Sequence, residues 1–221
     1  MQNVRGKFIV IDGTDGSGKA TQTNRLVKHL KEKGYKVRIA DFPRYGKRSA
    51  TMVEDYLNGE YGSADEVGAY RASIFFACDR YAASFELKKW LRAGEIVISN
   101  RYTSANMGHQ AGKISDAKER DNYLDWLHDL EFNVFAIPKP DLTLLLYLDP
   151  KTGQQWVDKK DDRKYLNGKK RDIHEADIKH LSNAAEAYKY VAGKYNWPVI
   201  NADQSIPRVH RDIWKIVSTI L

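Results

Sequence analysis

Phe8-Ile9-Val10-Ile11-Asp12-Gly13-Thr14-Asp15-Gly16-Ser17-Gly18-Lys19-Ala20-Thr21 is the stretch that decides the architecture. A short apolar strand stops at a glycine-rich turn, and apolar Leu26, Val27 and Leu30 mark a helix directly after it. In that setting the unpaired N–H groups of the first helical turn and the helix dipole converge on one spot, which attracts phosphate. Lys19 supplies a point charge for outer phosphates, completing the G-x-x-x-x-G-K pattern from Gly13. Ala20 stands where that pattern places a Ser or Thr hydroxyl for Mg²⁺. Thr21 does not replace it, because one residue further is about 100° further around the helix.

Working outward, apolar runs alternate with helical patterns. Strands are expected at 7–12, 36–41, 95–100, 142–148 and 198–201. Helices are expected at 18–33, 49–58, 66–92, 115–130, 151–159, 174–195 and 207–220. Strands separated by helices imply parallel pairing with right-handed crossovers, which makes an α/β, doubly wound, five-stranded sheet flanked by helices. Such sheets bind ligands at the carboxyl ends of their strands, here just after Asp12, Asp41, Asn100 and Leu148.

The 221 residues suit one domain spanning 1–221. The longest apolar stretch, 142–148, is too short for a bilayer, and residues 1–7 lack an apolar signal core. A cytoplasmic protein without membrane attachment is expected. The one cysteine, Cys78, lies in the apolar string Ile74-Phe75-Phe76-Ala77 and is expected as a buried structural thiol. The net charge of +7 is spread out, and its densest block (159–171) carries Asp161 and Asp162. No aromatic-and-glycine RNA-reading motif accompanies it, so a basic flap over polyphosphate is favoured over a nucleic-acid partner.

The strand ends carry the remaining chemistry. Phe42-Pro43-Arg44-Tyr45-Gly46 offers an aromatic, a rigid turn and positive charge, equally compatible with a pocket wall and with a solvated turn. Phe76 and Arg80 are four residues apart on one helix, so a ring and a guanidinium share a face. Arg101 follows a strand end and suits a phosphate clamp. His109 reads as a hydrogen-bonded loop residue. The polar insertion at about 153–172, with Arg163, Lys170 and Arg171, reads as a mobile lid or as a solvated loop.

In order, FIVIDGTDGSGKATQ (8–22), DFPRYGK (41–47), FFACDRY (75–81), ISNRYTSA (98–105), HQAGK (109–113), PKPDLTLLLYLDP (138–150), RDIHEAD (171–177) and WPVINAD (197–203) resemble the thymidylate kinase family, nearly end to end. The resemblance implies a P-loop kinase that moves the γ-phosphate of ATP, with Mg²⁺, onto dTMP. It implies that Gly13, Thr14, Asp15, Gly16, Ser17, Gly18, Lys19, Ala20 and Thr21 hold ATP. Asp15 would lie near the dTMP sugar and phosphate, Leu57 would wall the sugar, and Phe76 would stack on thymine. Arg80 would bond the base carbonyl edge, Arg101 would grip the dTMP phosphate, and Gln110 would lie on the base side. Phe42, Arg44 and Tyr102 complete the dTMP pocket. Arg163, with Lys170 or Arg171, would supply lid charge, so Lys19, Arg101, Asp15 and Arg163 are the catalytic candidates. A homodimer is also implied, with the helix at 69–91 as a seam that core packing would equally explain.

Three positions depart from the family pattern. Ala20 lacks the metal-binding hydroxyl, Asn100 replaces an aspartate, and arginine follows proline directly at Arg44. No direct protein ligand for Mg²⁺ is therefore assigned, and water-mediated binding assisted by Asp12 or Asp15 is expected. Kinases for dUMP, dCMP or UMP share every phosphate feature, and a nucleotide-binding protein with weak catalysis is the other alternative. A GTP switch fits poorly, because Pro138 stands where a guanine-reading Asn is needed.

Overall fold

The computed structural model describes residues 5–157 and 178–221. Five strands, β1 (Phe8–Gly13), β2 (Val37–Asp41), β3 (Ile96–Asn100), β4 (Leu142–Tyr147) and β5 (Val199–Asn201), form one sheet in the order β2-β3-β1-β4-β5. Every neighbouring pair is parallel. The register sets Ile11 beside Asn100 and Gly13 beside Leu146. The glycine-rich turn after β1 and the Arg101 segment after β3 thus leave the sheet side by side, and Arg101 N–H donates to the Ile11 carbonyl at 3.0 Å. All five expected strands are present, and the doubly wound reading holds.

Strand alternation sends side chains into two cores, one on each face. Ile9 and Ile11 pack with Leu26, Val27 and Leu30 of α1 (Lys19–Glu32) and with Val209, Ile213 and Val217 of α8 (Ile206–Val217). Phe8 and Val10 face the other way, toward Ala83, Leu87 and Leu91 of α3 (Ala64–Arg92). Each fully buried Leu, Ile or Val stabilises the fold by about 1.5–3 kcal/mol. A third cluster joins α3 to α4 (Thr103–His109), α5 (Ala117–His128) and α7 (Ile178–Lys194) through Ala69, Met107, Leu124, Leu127 and Val191.

The remaining helices, α2 (Thr51–Asn58) and α6 (Pro150–Val157), also match expected segments within two residues at their described ends. Helix α3 starts two residues earlier than expected, because Ser63 and Glu66 form a capping box. Two features were not anticipated. His109 is not a loop residue but the end of α4, and α5 runs on into a π-helical turn, Asp129–Val134.

Cys78 is exposed, contrary to the buried thiol expected from its neighbours. On α3 only one face meets the sheet. Cys78 shares the outer face with Ile74, Tyr81 and Phe85, which are 41 %, 42 % and 62 % exposed. The apolar string misled because part of it faces outward. No described helix is long and apolar enough to cross a membrane. The basic insertion, with Arg163, Lys170 and Arg171, lies outside the described residues apart from its first few positions.

Candidate active site

The turn after β1 is held from both sides. Gly13 runs so close to β4 that a Cβ there would lie 1.9 Å from the Leu146 carbonyl oxygen, and its φ of +148° also requires glycine. A Cβ on Gly16 would lie 2.4 Å from the Gly153 carbonyl oxygen of α6. The Thr14 hydroxyl donates to the Leu148 carbonyl at 2.8 Å and accepts from the Leu148 N–H at 2.9 Å. Helix α1 then begins at Gly18 with no side-chain cap and no acidic residue in its first turn. Its orphan N–H groups and dipole are left for an anion. Lys19 is folded back on the turn, its Nζ donating to the Gly13 and Thr14 carbonyls at 2.9 and 2.7 Å. Ala20 and Thr21 are exposed.

Asp15 joins this turn to the segment after β3. Its Oδ1 accepts from Arg101 Nη2 at 2.5 Å and lies 3.6 Å from Lys19 Nζ. Burial alone would raise the Asp15 pKa, but the charges of Arg101 and Lys19 reverse it and hold the carboxyl far below the usual range. Arg101 adopts φ 62°, a left-handed conformation uncommon outside glycine, and its Nη1 contacts His109 Nε2 at 3.0 Å. Burial drives the His109 pKa well below its usual value, so the imidazole is neutral near pH 7 and accepts from the guanidinium.

Beside Arg101 opens a cavity lined by Asp15, Phe42, Leu57, Phe76, Arg80, Arg101, Tyr102 and Gln110. These are all the acceptor-side candidates from the sequence except Arg44. The Arg44 guanidinium pairs with Asp79 Oδ1 at 3.0 Å and Ser49 Oγ at 2.8 Å, and the Arg44 backbone N–H donates to Asp79 Oδ2. It anchors the turn after β2 and does not wall the cavity. Tyr45 lines the cavity instead. The Phe42–Pro43 bond in this turn is cis.

Arg80 is buried and pairs through Nε and Nη2 with Glu131 from the π-helical turn. Gln110, also buried, has a side-chain oxygen without a hydrogen-bond partner among the described residues. It lies across a cavity that already offers donors from Arg80, which suits a ligand with both donors and acceptors.

Does the site fit a directly ligated Mg²⁺? Ala20 contributes no oxygen. Asp12, expected to assist, is fully buried and accepts from Gly13 N–H at 2.8 Å, Ser104 Oγ at 2.5 Å and Tyr188 OH at 3.0 Å. Asp15 is turned to Arg101 and Lys19, and Asp41 accepts from Asn100 Nδ2 at 2.7 Å. Among the described residues no three His, Cys, Asp or Glu side chains group as a metal site. The residues present do not fit direct protein ligation.

Several contributors escaped the sequence reading. Glu131 lies at helical spacing from buried Leu124 and Leu127, and an acid on an apolar stripe was the available signal. Asp79, Tyr188 and Gly153 act through contacts distant in sequence, and no local pattern announces them.

A family model described as thymidylate kinase matches residues 11–213. The chain belongs to the thymidylate kinase family. Over 218 residues it is 32 % identical to a probable thymidylate kinase of Thermococcus onnurineus, covering 95 % of this chain and 96 % of that one. It is 28 % identical over 200 residues to the thymidylate kinase of Mycobacterium tuberculosis, covering 89 % and 92 %. Among solved structures, the thymidylate kinase of Candida albicans superposes with a TM-score of 0.75 at 21 % identity, covering 97 % and 92 %. That likeness is one of fold.

Proposed function

We propose that this chain is an ATP-dependent thymidylate kinase, converting dTMP and ATP to dTDP and ADP. The observation that carries the reading is the cavity holding Phe76, Arg80 and Arg101, joined by Asp15 to the turn that presents Lys19. ATP phosphates occupy the α1 N-terminus with Lys19 as counter-charge. Arg101 grips the dTMP phosphate, Phe76 stacks on thymine, Leu57 walls the sugar, and Arg80 and Gln110 meet the base edge. An acceptor phosphate oxygen attacks the γ-phosphorus, forming one P–O bond as the bond to the β–γ bridging oxygen breaks, and ADP leaves. That nucleophile is already ionised near pH 7, so positioning and charge carry the step and no general base is required. Arg163, with Lys170 or Arg171, adds positive charge over the transferring group.

Mg²⁺, when bound, neutralises polyphosphate charge. In this reading it enters with ATP and is held by phosphates and water. Cytoplasmic placement, a single domain over 1–221 and a homodimer seamed on the outer face of α3 belong to the same reading. The exposed Ile74, Tyr81 and Phe85 support the seam.

A coupled ADP-release assay with ATP–Mg²⁺ against dTMP, dUMP, dCMP, UMP and AMP tests the assignment. Turnover with dTMP well above the others is expected, and no turnover with any acceptor refutes it. Ala20 and Asn100 favour one rival, a nucleotide-binding protein with weak catalysis. That rival predicts nucleotide binding without acceptor-dependent ADP.

A further inference from the structure

We propose that Asn100 is a positioning residue that acts through Asp41: its amide engages the Asp41 carboxylate and keeps it from competing with the acceptor phosphate for Arg101. The inference rests on the kinase reading above and goes beyond it in naming what preserves positive charge at the phosphate seat.

Asp41 and Asn100 are the last residues of β2 and β3 and stand opposite each other in the parallel register. Phe42 N–H continues the pairing by one bond, donating to the Asn100 carbonyl at 3.1 Å. Asp41, Phe42, Asn100 and Arg101 all line the acceptor cavity. Between the two strand ends, Asn100 Nδ2 donates to Asp41 Oδ1 at 2.7 Å. An ionised carboxylate only accepts, so it dictates that the amide presents its NH₂. Asn100 Oδ1 has no hydrogen-bond partner among the described residues, and the contact with Asp41 therefore sets the orientation of the amide.

The surrounding charges give this neutral contact its meaning. Arg101 already gives Nη2 to Asp15, while Nη1 faces the neutral His109. A second carboxylate on the same guanidinium would occupy the fork that a phosphate needs. Of the acids lining the cavity, Asp15 is held by Arg101 and Lys19, and Asp79 is held by Arg44. Asp41 is held by neutral donors alone among the described residues, the Asn100 amide and the Phe42 N–H. No ion pair joins it to Arg101 among those residues. The charge of Arg101 nevertheless reaches Asp41 and lowers its pKa against the rise that desolvation causes. Asp41 is thus the acid next in line for Arg101, and Asn100 is what occupies it.

The Asp41–Asn100 contact is open to solvent, where a hydrogen bond adds little to folding. Stability alone does not call for it. An aspartate at position 100 would set two carboxylates side by side and add negative charge next to Arg101, the reverse of what a phosphate seat requires.

The test measures kcat and KM for dTMP, and KM for ATP, in the full-length wild type, Asn100→Ala, Asp41→Asn and the double variant, with a thermal melt of each. Asn100→Ala releases the carboxylate and is expected to raise KM for dTMP about tenfold, leaving kcat and KM for ATP within about threefold. Asp41→Asn removes the competitor and should stay within about threefold of wild type. The double variant is the deciding readout. With no carboxylate left to compete, its KM for dTMP should return to within about threefold of wild type, although the hydrogen bond is gone. A contact that merely joins two strands would stay broken in the double variant, so absence of recovery overturns the proposal. An unchanged KM in Asn100→Ala overturns it too. Asn100→Asp is expected to raise KM for dTMP at least as much as Asn100→Ala. A lower KM or a lower Mg²⁺ requirement in Asn100→Asp would assign position 100 to the metal and overturn the proposal. Where Asn100→Ala does not fold, Asn100→Asp and its double variant with Asp41→Asn carry the same comparison, because the exchanged pair restores one amide and one carboxylate. Turnover of dTMP by the wild type with any of these failures leaves the kinase reading standing. No turnover with any acceptor ends both.

Discussion

Replacing Arg101 with methionine keeps most of the side chain's bulk and removes its charge and fork. In the proposed site the guanidinium holds a phosphate through two charge-assisted hydrogen bonds, each about 1.5–3 kcal/mol. Losing both costs about 3–6 kcal/mol, or about 10²–10⁴ in kcat/KM at 1.36 kcal/mol per decade. The fold should survive, because Asp15 keeps Lys19 at 3.6 Å as a counter-charge when Arg101 Nη2, now at 2.5 Å, is gone. Arg101→Lys restores charge without the fork and should recover part of the loss. The assay is coupled ADP release at varied dTMP with saturating ATP–Mg²⁺, alongside a thermal melt of each variant. If Arg101→Met keeps kcat/KM within about threefold of wild type, the clamp assignment is wrong. If activity and melting temperature collapse together in both variants, Arg101 is a structural residue.

Further outcomes follow from other contacts. Gly153→Ala places a Cβ 2.2 Å from the Asp15 carbonyl oxygen, so the glycine-rich turn must shift. We expect ATP affinity, measured by calorimetry, to weaken at least tenfold, and unchanged affinity would mean the turn tolerates displacement. Tyr188→Phe removes a 3.0 Å bond to buried Asp12. The loss is about 1.5–3 kcal/mol, or about 3–12 °C in melting temperature for a chain of this size. Lys113 donates to Tyr56 OH and the Ala64 carbonyl, yet burial lowers its pKa from 10.5 to about 8. Between those values the unfolded chain binds more protons than the folded one, so stability rises with pH through that window. Denaturant melts of wild type minus Lys113→Met should move in favour of the wild type from pH 8 to 10.5. A flat difference contradicts the burial argument. The buried neutral His109 works on the acid side. Below its unfolded pKa of about 6.5 the unfolded chain takes up a proton that the folded one refuses, so stability falls as pH drops. His109→Asn should remove that component, seen as a smaller loss of melting temperature between pH 7 and 5.

The sheet was legible in the sequence because its signals are local. Runs such as Phe8–Ile11 and Leu142–Leu146 fill strands buried on both faces, and turn residues bound each one. The glycine-rich turn between β1 and α1 is legible for the same reason, since Gly13 to Lys19 is contiguous. Cys78 was misread because residue type within a helix does not say which face meets the sheet. The pairing of Arg44 with Asp79 is not legible, because the two lie 35 residues apart and no local pattern links them. Tyr188 becomes visible only when the fold brings α7 against β1 and Asp12, whereas Glu131 carries the local signal of an acid on an apolar stripe. Helix α4 was missed because its seven residues are too few to show a stripe.

The seating of the glycine-rich turn also bears on how nucleotide is received. A flexible loop of this length would lose much of its conformational freedom on meeting a polyphosphate, and that ordering would subtract from affinity. Here the backbone contact at Gly16 and Gly153 and the two Thr14–Leu148 hydrogen bonds order the turn during folding. In the proposed reading the donor half is therefore preorganised, and the adjustment left on binding centres on the Lys19 ammonium, which would exchange the Gly13 and Thr14 carbonyl oxygens for phosphate.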